Sequence, residues 1–206
     1  MIALLAVALI TLLASIVPGP DFAMVTRASY LYGRRAGLLA AFGIALGVQV
    51  HVCYTMFGVA LLIASSPTVF TAIKLAGAIY LIVIGGRTWA NRAGLVIDLH
   101  GGAPVPQRQI LLNGFLTNAL NPKTTLFVIS TYTQVVQPGT PLTIQFGYGL
   151  CMSAIHLLWF ALVALFFSQA RFRSRLLRHQ RTLDRLIGAV LMALGVVLAC
   201  ANMDKL

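Results

Sequence analysis

The chain has 206 residues, of which 59% are hydrophobic and only 9% are charged, whereas a soluble domain has about 25% charged residues. So few charged residues could not cover the surface of a soluble protein of this size. The composition therefore indicates an all-α integral membrane protein. The net charge of +11 could suggest a nucleic-acid partner. We instead expect no nucleic acid, because the positive side chains cluster between apolar segments, as they do in membrane proteins.

Six apolar segments are long enough, or nearly so, to cross a bilayer, which takes about 20 residues of helix. They are residues 2–17 continuing past an interruption to 29, then 37–64, 69–86, 110–136, 142–168 and 183–201. Because these segments occupy nearly the whole chain, we expect six transmembrane helices and no soluble domain.

The first segment is interrupted by the sequence SIVPGPDF, in which Pro18, Gly19 and Pro20 are followed by Asp21. Proline removes a backbone donor and glycine loosens a helix, so helix 1 should break here. Proline is tolerated in a first helical turn, and a new half-helix should therefore begin near Pro20. Asp21 is the only carboxylate inside a predicted span, because the remaining aspartates lie in predicted loops or at span ends: Asp98, Asp184 and Asp204.

The fourth segment is interrupted in a similar way by LTNALNPKTT, which places Asn118, Asn121, Pro122 and Lys123 at the break. Asn121 is suited to cap the half-helix that begins at Pro122. Each broken helix thus carries a charged side chain directly after its proline, and these are Asp21 in helix 1 and Lys123 in helix 4. In hydrocarbon, the backbone groups that such breaks free must find partners in protein, water or ligand.

The two halves of the chain resemble each other weakly but in a consistent order. LASIVPGPDFAMV matches LTNALNPKTTLFV, AFGIALGVQVHV matches QFGYGLCMSAIH, and LAGAIYLIVIGG matches LIGAVLMALGVV. We therefore predict two three-helix repeats, residues 1–90 and 109–206, joined by a linker at 91–108. Because each repeat has an odd number of spans, the two must be inverted, and inverted repeats with matching broken helices indicate a transporter.

Positive charge is unevenly distributed among the connections. Arginines flank the connections after the first, third and fifth spans, whereas residues 65–68 and 137–141 carry no charge. The positive-inside rule predicts that the arginine-rich connections, the linker included, are cytoplasmic and that both termini lie on the outer, periplasmic side. The same side chains could attract lipid headgroups. These residues are Arg27, Arg34, Arg35, Arg87, Arg92, Arg108, Arg171, Arg173, Arg175, Arg178, Arg181 and Arg185.

The two breaks together are suited to a zwitterionic solute. Lys123 and a half-helix N-terminus could bind a carboxylate, while Asp21 and the freed carbonyls near residues 16 and 17 could bind an ammonium group. A free amino acid carries both groups on one carbon. The alternative is that Asp21 and Lys123 only pair with each other in a structural salt bridge.

Transport against a gradient needs an energy source, and the sequence contains no nucleotide-binding motif. If protons are exchanged for substrate, Asp21 is the first candidate for the proton carrier. His51 and His156, both near mid-span, are the second candidates. Either histidine could equally be a hydrogen-bonded packing residue.

Four motifs together resemble the LysE/RhtB family of amino-acid exporters: SIVPGPDFAMV, GRRAGLLAAFGIALG, KLAGAIYLIVIGG and GFLTNALNPKTTLFV. The resemblance covers essentially the whole chain. It implies a multi-pass protein of the bacterial inner membrane that expels amino acids by proton antiport and forms a homo-oligomer. The family's PGP motif corresponds to Pro18, Gly19 and Pro20, and its NPK motif to Asn121, Pro122 and Lys123. PGPDF is more similar to the homoserine/threonine branch, which favours a small neutral substrate.

Two other classes of protein are less well supported by the sequence. A metal or small-ion exporter on a related fold would need clustered ligands, and in addition to Asp21 only His51 and His156 are available. A membrane-embedded enzyme would need a catalytic constellation, which the spans lack. The three cysteines form no CxxC pair. We therefore expect no enzymatic activity, no cofactor and no metal site.

Overall fold

The computed structural model describes residues 2–65, 67–90, 105–137, 139–167 and 170–203. These residues form eight helices and, within the described ranges, no strand. The helices are α1 (Ile2–Ile16), α2 (Pro20–Tyr32), α3 (Arg34–Ser65), α4 (Pro67–Ala90), α5 (Gln107–Ala119), α6 (Pro122–Val135), α7 (Leu142–Phe167) and α8 (Ala170–Met203). The chain is thus all-α, as its composition predicts.

Both proline motifs interrupt a helix where the sequence predicts an interruption. Helix α1 ends at Ile16 and α2 begins at Pro20, with a bend of 61° between them. Helix α5 ends at Ala119 and α6 begins at Pro122. Each proline occupies the start of its new helix, where the missing N–H would have no intrahelical acceptor in any case.

Three helices within the described residues are long and apolar enough to cross a membrane, and the bent pair α1–α2 makes a fourth candidate span. The six-span topology and the boundaries of the two repeats stay predictions. Most of the predicted linker, residues 91–104, lies outside the described residues, as do Asp98 and Asp204.

The arginine-rich segment after the fifth span differs from the predicted loop, because α8 is helical from Ala170 to Met203. Asp184 consequently lies well inside a helix and is only 2% exposed. The reason is that arginine has a high helix propensity, so a run of arginines indicates a side of the membrane without indicating a loop.

Helix α3 lies at the centre of the described structure, where it contacts α2, α5, α6 and α7, while α4 packs mainly on α8. Gly85 and Gly188 allow the second of these contacts, since a Cβ at Gly188 would lie 2.6 Å from the carbonyl oxygen of Gly85. One apolar cluster contains Phe127 and Tyr132, and another contains Phe22 and Phe160. The candidate site lies where these two clusters approach each other.

Candidate functional site

Asp21 occupies the first turn of α2 and is 8% exposed. Its Oδ2 accepts hydrogen bonds from the side-chain amides of Asn118 at 2.9 Å and Asn121 at 3.4 Å. Its Oδ1 is buried and has no hydrogen-bond partner among the described residues. A buried carboxylate oxygen is costly to leave unpaired, so this atom is available to a proton or a cationic ligand.

Lys123 occupies the first turn of α6, and its side chain reaches the end of α1. Its Nζ donates to the carbonyl oxygens of Val17 at 2.9 Å and Ala14 at 3.3 Å. These are carbonyls that the break after α1 leaves without helical partners. The lysine ammonium therefore binds at the position where the sequence predicts that a substrate ammonium would bind.

Each charged side chain thus binds the break in the other half of the molecule. Asp21 reaches the α5–α6 break, and Lys123 reaches the α1–α2 break. Among the described residues these two side chains form no direct ion pair with each other, and both line one cavity. The structural salt bridge that the sequence left open is absent from this part of the chain.

The asparagines hold the second break in place. The Asn121 side chain accepts a hydrogen bond of 3.0 Å from the backbone N–H of Lys123, and so caps α6 as predicted. Asn118 is fully buried, and Gly47 makes room for it, since a Cβ at Gly47 would lie 2.8 Å from the Asn118 Cβ. Both amides are therefore fixed to face Asp21.

An inner cavity lies between the two breaks, and Asp21, Asn121 and Lys123 line it. The volume open to the centre of a water molecule is about 20 Å³, which is enough for one water molecule and far too small for an amino acid. The remaining lining residues are Ala14, Ser15, Val17, Gly19, Phe22, Thr124, Phe127, His156 and Phe160. This conformation of the site is closed around a small polar space with aromatic walls.

A second, outer cavity lies between α4, α6 and the α1–α2 break, and its volume on the same measure is about 510 Å³. Val17 and Lys123 line both cavities. Lys123 therefore stands between the two spaces, with its ammonium group bound to α1.

The two candidate histidines occupy different environments. His51 is 1% exposed, lines neither described cavity, and donates from Nε2 to the carbonyl oxygen of Asn118 at 2.8 Å. Its Nδ1 lies within hydrogen-bond distance of the Tyr54 hydroxyl. His156 lines the inner cavity and donates from Nδ1 to the Met152 carbonyl at 2.9 Å. The structure thus places only His156 in the cavity with Asp21.

Several of the predicted site residues do not line the inner cavity. Pro18 and Pro122 line the outer cavity, whereas Pro20 and Asn118 line neither. The sequence reasoning missed the phenylalanine walls and Thr124. Phe22 and Thr124 could have been found from the repeat alignment, because pairing Pro20 with Pro122 also pairs these two residues.

The described residues contain no group of three or more His, Cys, Asp or Glu side chains that could hold a metal ion.

Comparison with known proteins connects this chain to a family. The model of a family described as LysE type translocator matches residues 12–202. The chain is 27% identical over 198 residues to the threonine efflux protein of Escherichia coli K12, covering 93% of this chain and 95% of that protein. It is 27% identical over 171 residues to the leucine efflux protein of Enterobacter sp. strain 638, covering 83% and 81% respectively.

An uncharacterized membrane protein of Vibrio cholerae is also similar, with 29% identity over 200 residues that cover 96% of this chain and 97% of that protein. No solved structure matches the chain significantly.

Proposed function

The chain belongs to the LysE type translocator family, and from this premise we propose that it exports small neutral amino acids of the threonine and homoserine type in exchange for protons. As a member of this family with long apolar helices, it is a bacterial integral membrane transporter. Similar proteins named for threonine and leucine efflux favour an amino-acid substrate over the metal or small-ion alternative.

We propose a six-span architecture of two inverted repeats, with α1–α2 and α5–α6 each forming one broken span. The contacts between helices support this architecture. When α1, α2 and α3 are paired with α5, α6 and α7, two contacts of α2 have counterparts at α6. Helix α2 contacts α7 as α6 contacts α3, and α2 contacts α5 as α6 contacts α1. Gln49 supports the same relation, since its amide donates at 2.6 Å to Ser153, its partner in the repeat alignment.

The proposed orientation places the arginine-rich connections in the cytoplasm and both termini in the periplasm. The exposed side chains of Arg181 and Arg185 on α8 suit an interaction with the headgroups of the cytoplasmic leaflet. In this orientation the protein lies in the inner membrane and takes up its substrate from the cytoplasm.

Substrate binding follows from the two groups that the inner cavity offers. The unpaired Oδ1 of Asp21 can accept the substrate ammonium. The Lys123 ammonium can leave the α1 carbonyls and bind the substrate carboxylate, while those carbonyls become available to the substrate ammonium. Because the inner cavity has room for only about one water molecule, the helices around the breaks must separate when an amino acid binds.

Proton coupling follows from competition for the same carboxylate. Asp21 can hold a proton or a substrate ammonium at Oδ1, but not both at once, because protonation removes the charge that attracts the ammonium. If the site can turn from one side of the membrane to the other only when it holds either a proton or the substrate, the protein exchanges protons for substrate. His156 lines the same cavity and is placed to pass the proton, and His51 stays a more remote candidate.

The observation that carries this proposal is the crossed arrangement of the two breaks. A carboxylate with one unpaired buried oxygen and a lysine bound only to backbone carbonyls face one cavity. Two opposite charges that are held apart at that cavity provide complementary groups for a zwitterion.

The proposal is tested with the purified protein in liposomes that carry an imposed pH gradient. We expect the gradient to drive movement of radiolabelled threonine or homoserine, and an uncoupler to abolish that movement. Leucine, lysine and a divalent cation serve as comparison solutes. Gradient-driven transport of the cation with no transport of any amino acid would contradict the proposal.

A further inference from the structure

We infer that the outer cavity is a vestibule in which Arg87 binds the carboxylate of the amino acid before Lys123 admits the solute to the inner cavity. This inference rests on the proposed function, since it names the route by which the cytoplasmic substrate reaches the site. It adds a binding residue, Arg87, that lies outside both sequence motifs.

The charge of the outer cavity points to an anionic group. Arg87 and Lys123 are the charged residues in its described lining, and no carboxylate is among them. The guanidinium of Arg87 can bind a carboxylate through two parallel hydrogen bonds. The cavity is also large enough for an amino acid, at about 510 Å³ of volume open to water centres.

The position of the cavity points to the cytoplasmic side. Arg87 is exposed in the last turn of α4, next to the connection that is predicted to be cytoplasmic. Deeper along the same wall, the Tyr80 hydroxyl donates to the backbone carbonyl of Lys123 at 3.1 Å and ties α4 to the start of α6. The cavity therefore runs from an arginine at its mouth to the lysine at its inner end.

Lys123 separates the outer cavity from the inner one, because its ammonium group is bound to backbone carbonyls of α1. Hydrogen bonds to Ala14 and Val17 hold the side chain across the space between the cavities. A substrate carboxylate arriving from Arg87 offers the ammonium a charged acceptor in place of two neutral carbonyls. When Lys123 exchanges acceptors, the path to Asp21 opens, and the substrate ammonium can then reach the unpaired Oδ1.

The test compares Arg87→Gln and Arg87→Lys with Arg35→Gln, an exposed arginine at the start of α3 that lines neither described cavity. Uptake of threonine into inside-out vesicles reports transport from the cytoplasmic face. We expect Arg87→Gln to raise KM about three- to tenfold, as for one partly exposed charged contact, with the maximal rate unchanged. Arg87→Lys should have a smaller effect, and Arg35→Gln none.

A second readout measures the cavity without transport. In a variant with the native cysteines replaced by alanine, Val83→Cys places a thiol in the outer cavity. We expect it to react faster with an anionic methanethiosulfonate than with a cationic one, to lose this preference in Arg87→Gln, and to be protected by threonine. Equal reactivity toward both reagents would overturn the inference.

The remaining outcomes separate this inference from the proposed function. An unchanged KM in Arg87→Gln with normal wild-type uptake overturns the vestibule alone. Absence of amino-acid uptake by the wild type overturns the proposed function and the vestibule together. An effect of Arg87→Gln that occurs only in liposomes containing phosphatidylglycerol would show that the cavity binds a lipid headgroup, which also overturns the inference.

Discussion

The two helix breaks have related sequences but solve the problem of their unpaired backbone groups differently. At the α5–α6 break, Asn121 caps the new helix from within the same segment. At the α1–α2 break, Gly19 precedes α2 without a side-chain cap, and the carbonyls at the end of α1 are bound by Lys123 from the other half. One break is stabilised from within its own segment, whereas the other is stabilised by a side chain from the other half of the molecule.

We propose that this difference gives the two halves of the site different roles. The α5–α6 break is a fixed support whose amides hold Asp21 in position. In the proposed mechanism the α1–α2 break is the adaptable part, because its carbonyls exchange a lysine ammonium for a substrate ammonium.

The largest expected effect comes from removing the carboxylate of the adaptable half. Asp21→Asn should abolish proton-driven export, because the amide binds neither a transported proton nor an ammonium ion through charge. Gradient-driven threonine transport in liposomes measures this, with equal membrane insertion as the control. Transport by Asp21→Asn at the wild-type rate would remove Asp21 from the mechanism.

Removing the cation of Lys123 should have the next largest effect. Lys123→Met leaves the carbonyls of Ala14 and Val17 unpaired and takes away the charge that we propose binds the substrate carboxylate. We expect KM to rise about 10- to 100-fold, as for one charged hydrogen bond, and Lys123→Arg to recover part of the loss. If Lys123→Met and wild type share one KM, the lysine has no part in binding.

Weakening the fixed half should change stability more than transport. Asn121→Ala removes the α6 cap, which costs about 1 kcal/mol of stability, and the weaker of the two amide contacts to Asp21. Thermal unfolding in detergent should show a lowered midpoint, while KM changes by less than in Lys123→Met. The comparison between the breaks would be wrong if Asn121→Ala had the greater effect on KM.

The smallest effect is expected at the corresponding position of the adaptable half. A Cβ at Gly19 would lie 3.5 Å from Nζ of Lys123, an ordinary contact, and the backbone there is extended with φ −165°. Gly19→Ala should therefore change stability by less than about 1 kcal/mol and leave KM close to wild type. Gly19→Leu is the matched variant that should displace Lys123 and raise KM, and equal behaviour of both variants would refute this packing.

The sequence predicts the features that depend on local chemistry. Proline and glycine place both breaks, and Asn121 is recognisable as a cap because its side chain acts on its own segment. The partner of Lys123 could not be predicted, because carboxylate and carbonyl acceptors from other segments compete for the ammonium, and packing decides between them. From the sequence, Arg87 indicates only a side of the membrane, because the outer cavity that it lines arises from the packing of α4 against α6. The arginine-rich segment before Asp184 is helical, which the sequence does not predict because a run of arginines indicates a side of the membrane and not a loop.

The central claim is that one oxygen of Asp21 binds either a proton or the substrate ammonium, and proton release on substrate binding tests it most directly. Threonine is added to the purified protein in weakly buffered detergent solution with a pH indicator, at a pH where part of the carboxylate is protonated. We predict that binding releases protons from the wild type and none from Asp21→Asn. Substrate binding to the wild type without proton release, or equal release from both proteins, would contradict the account.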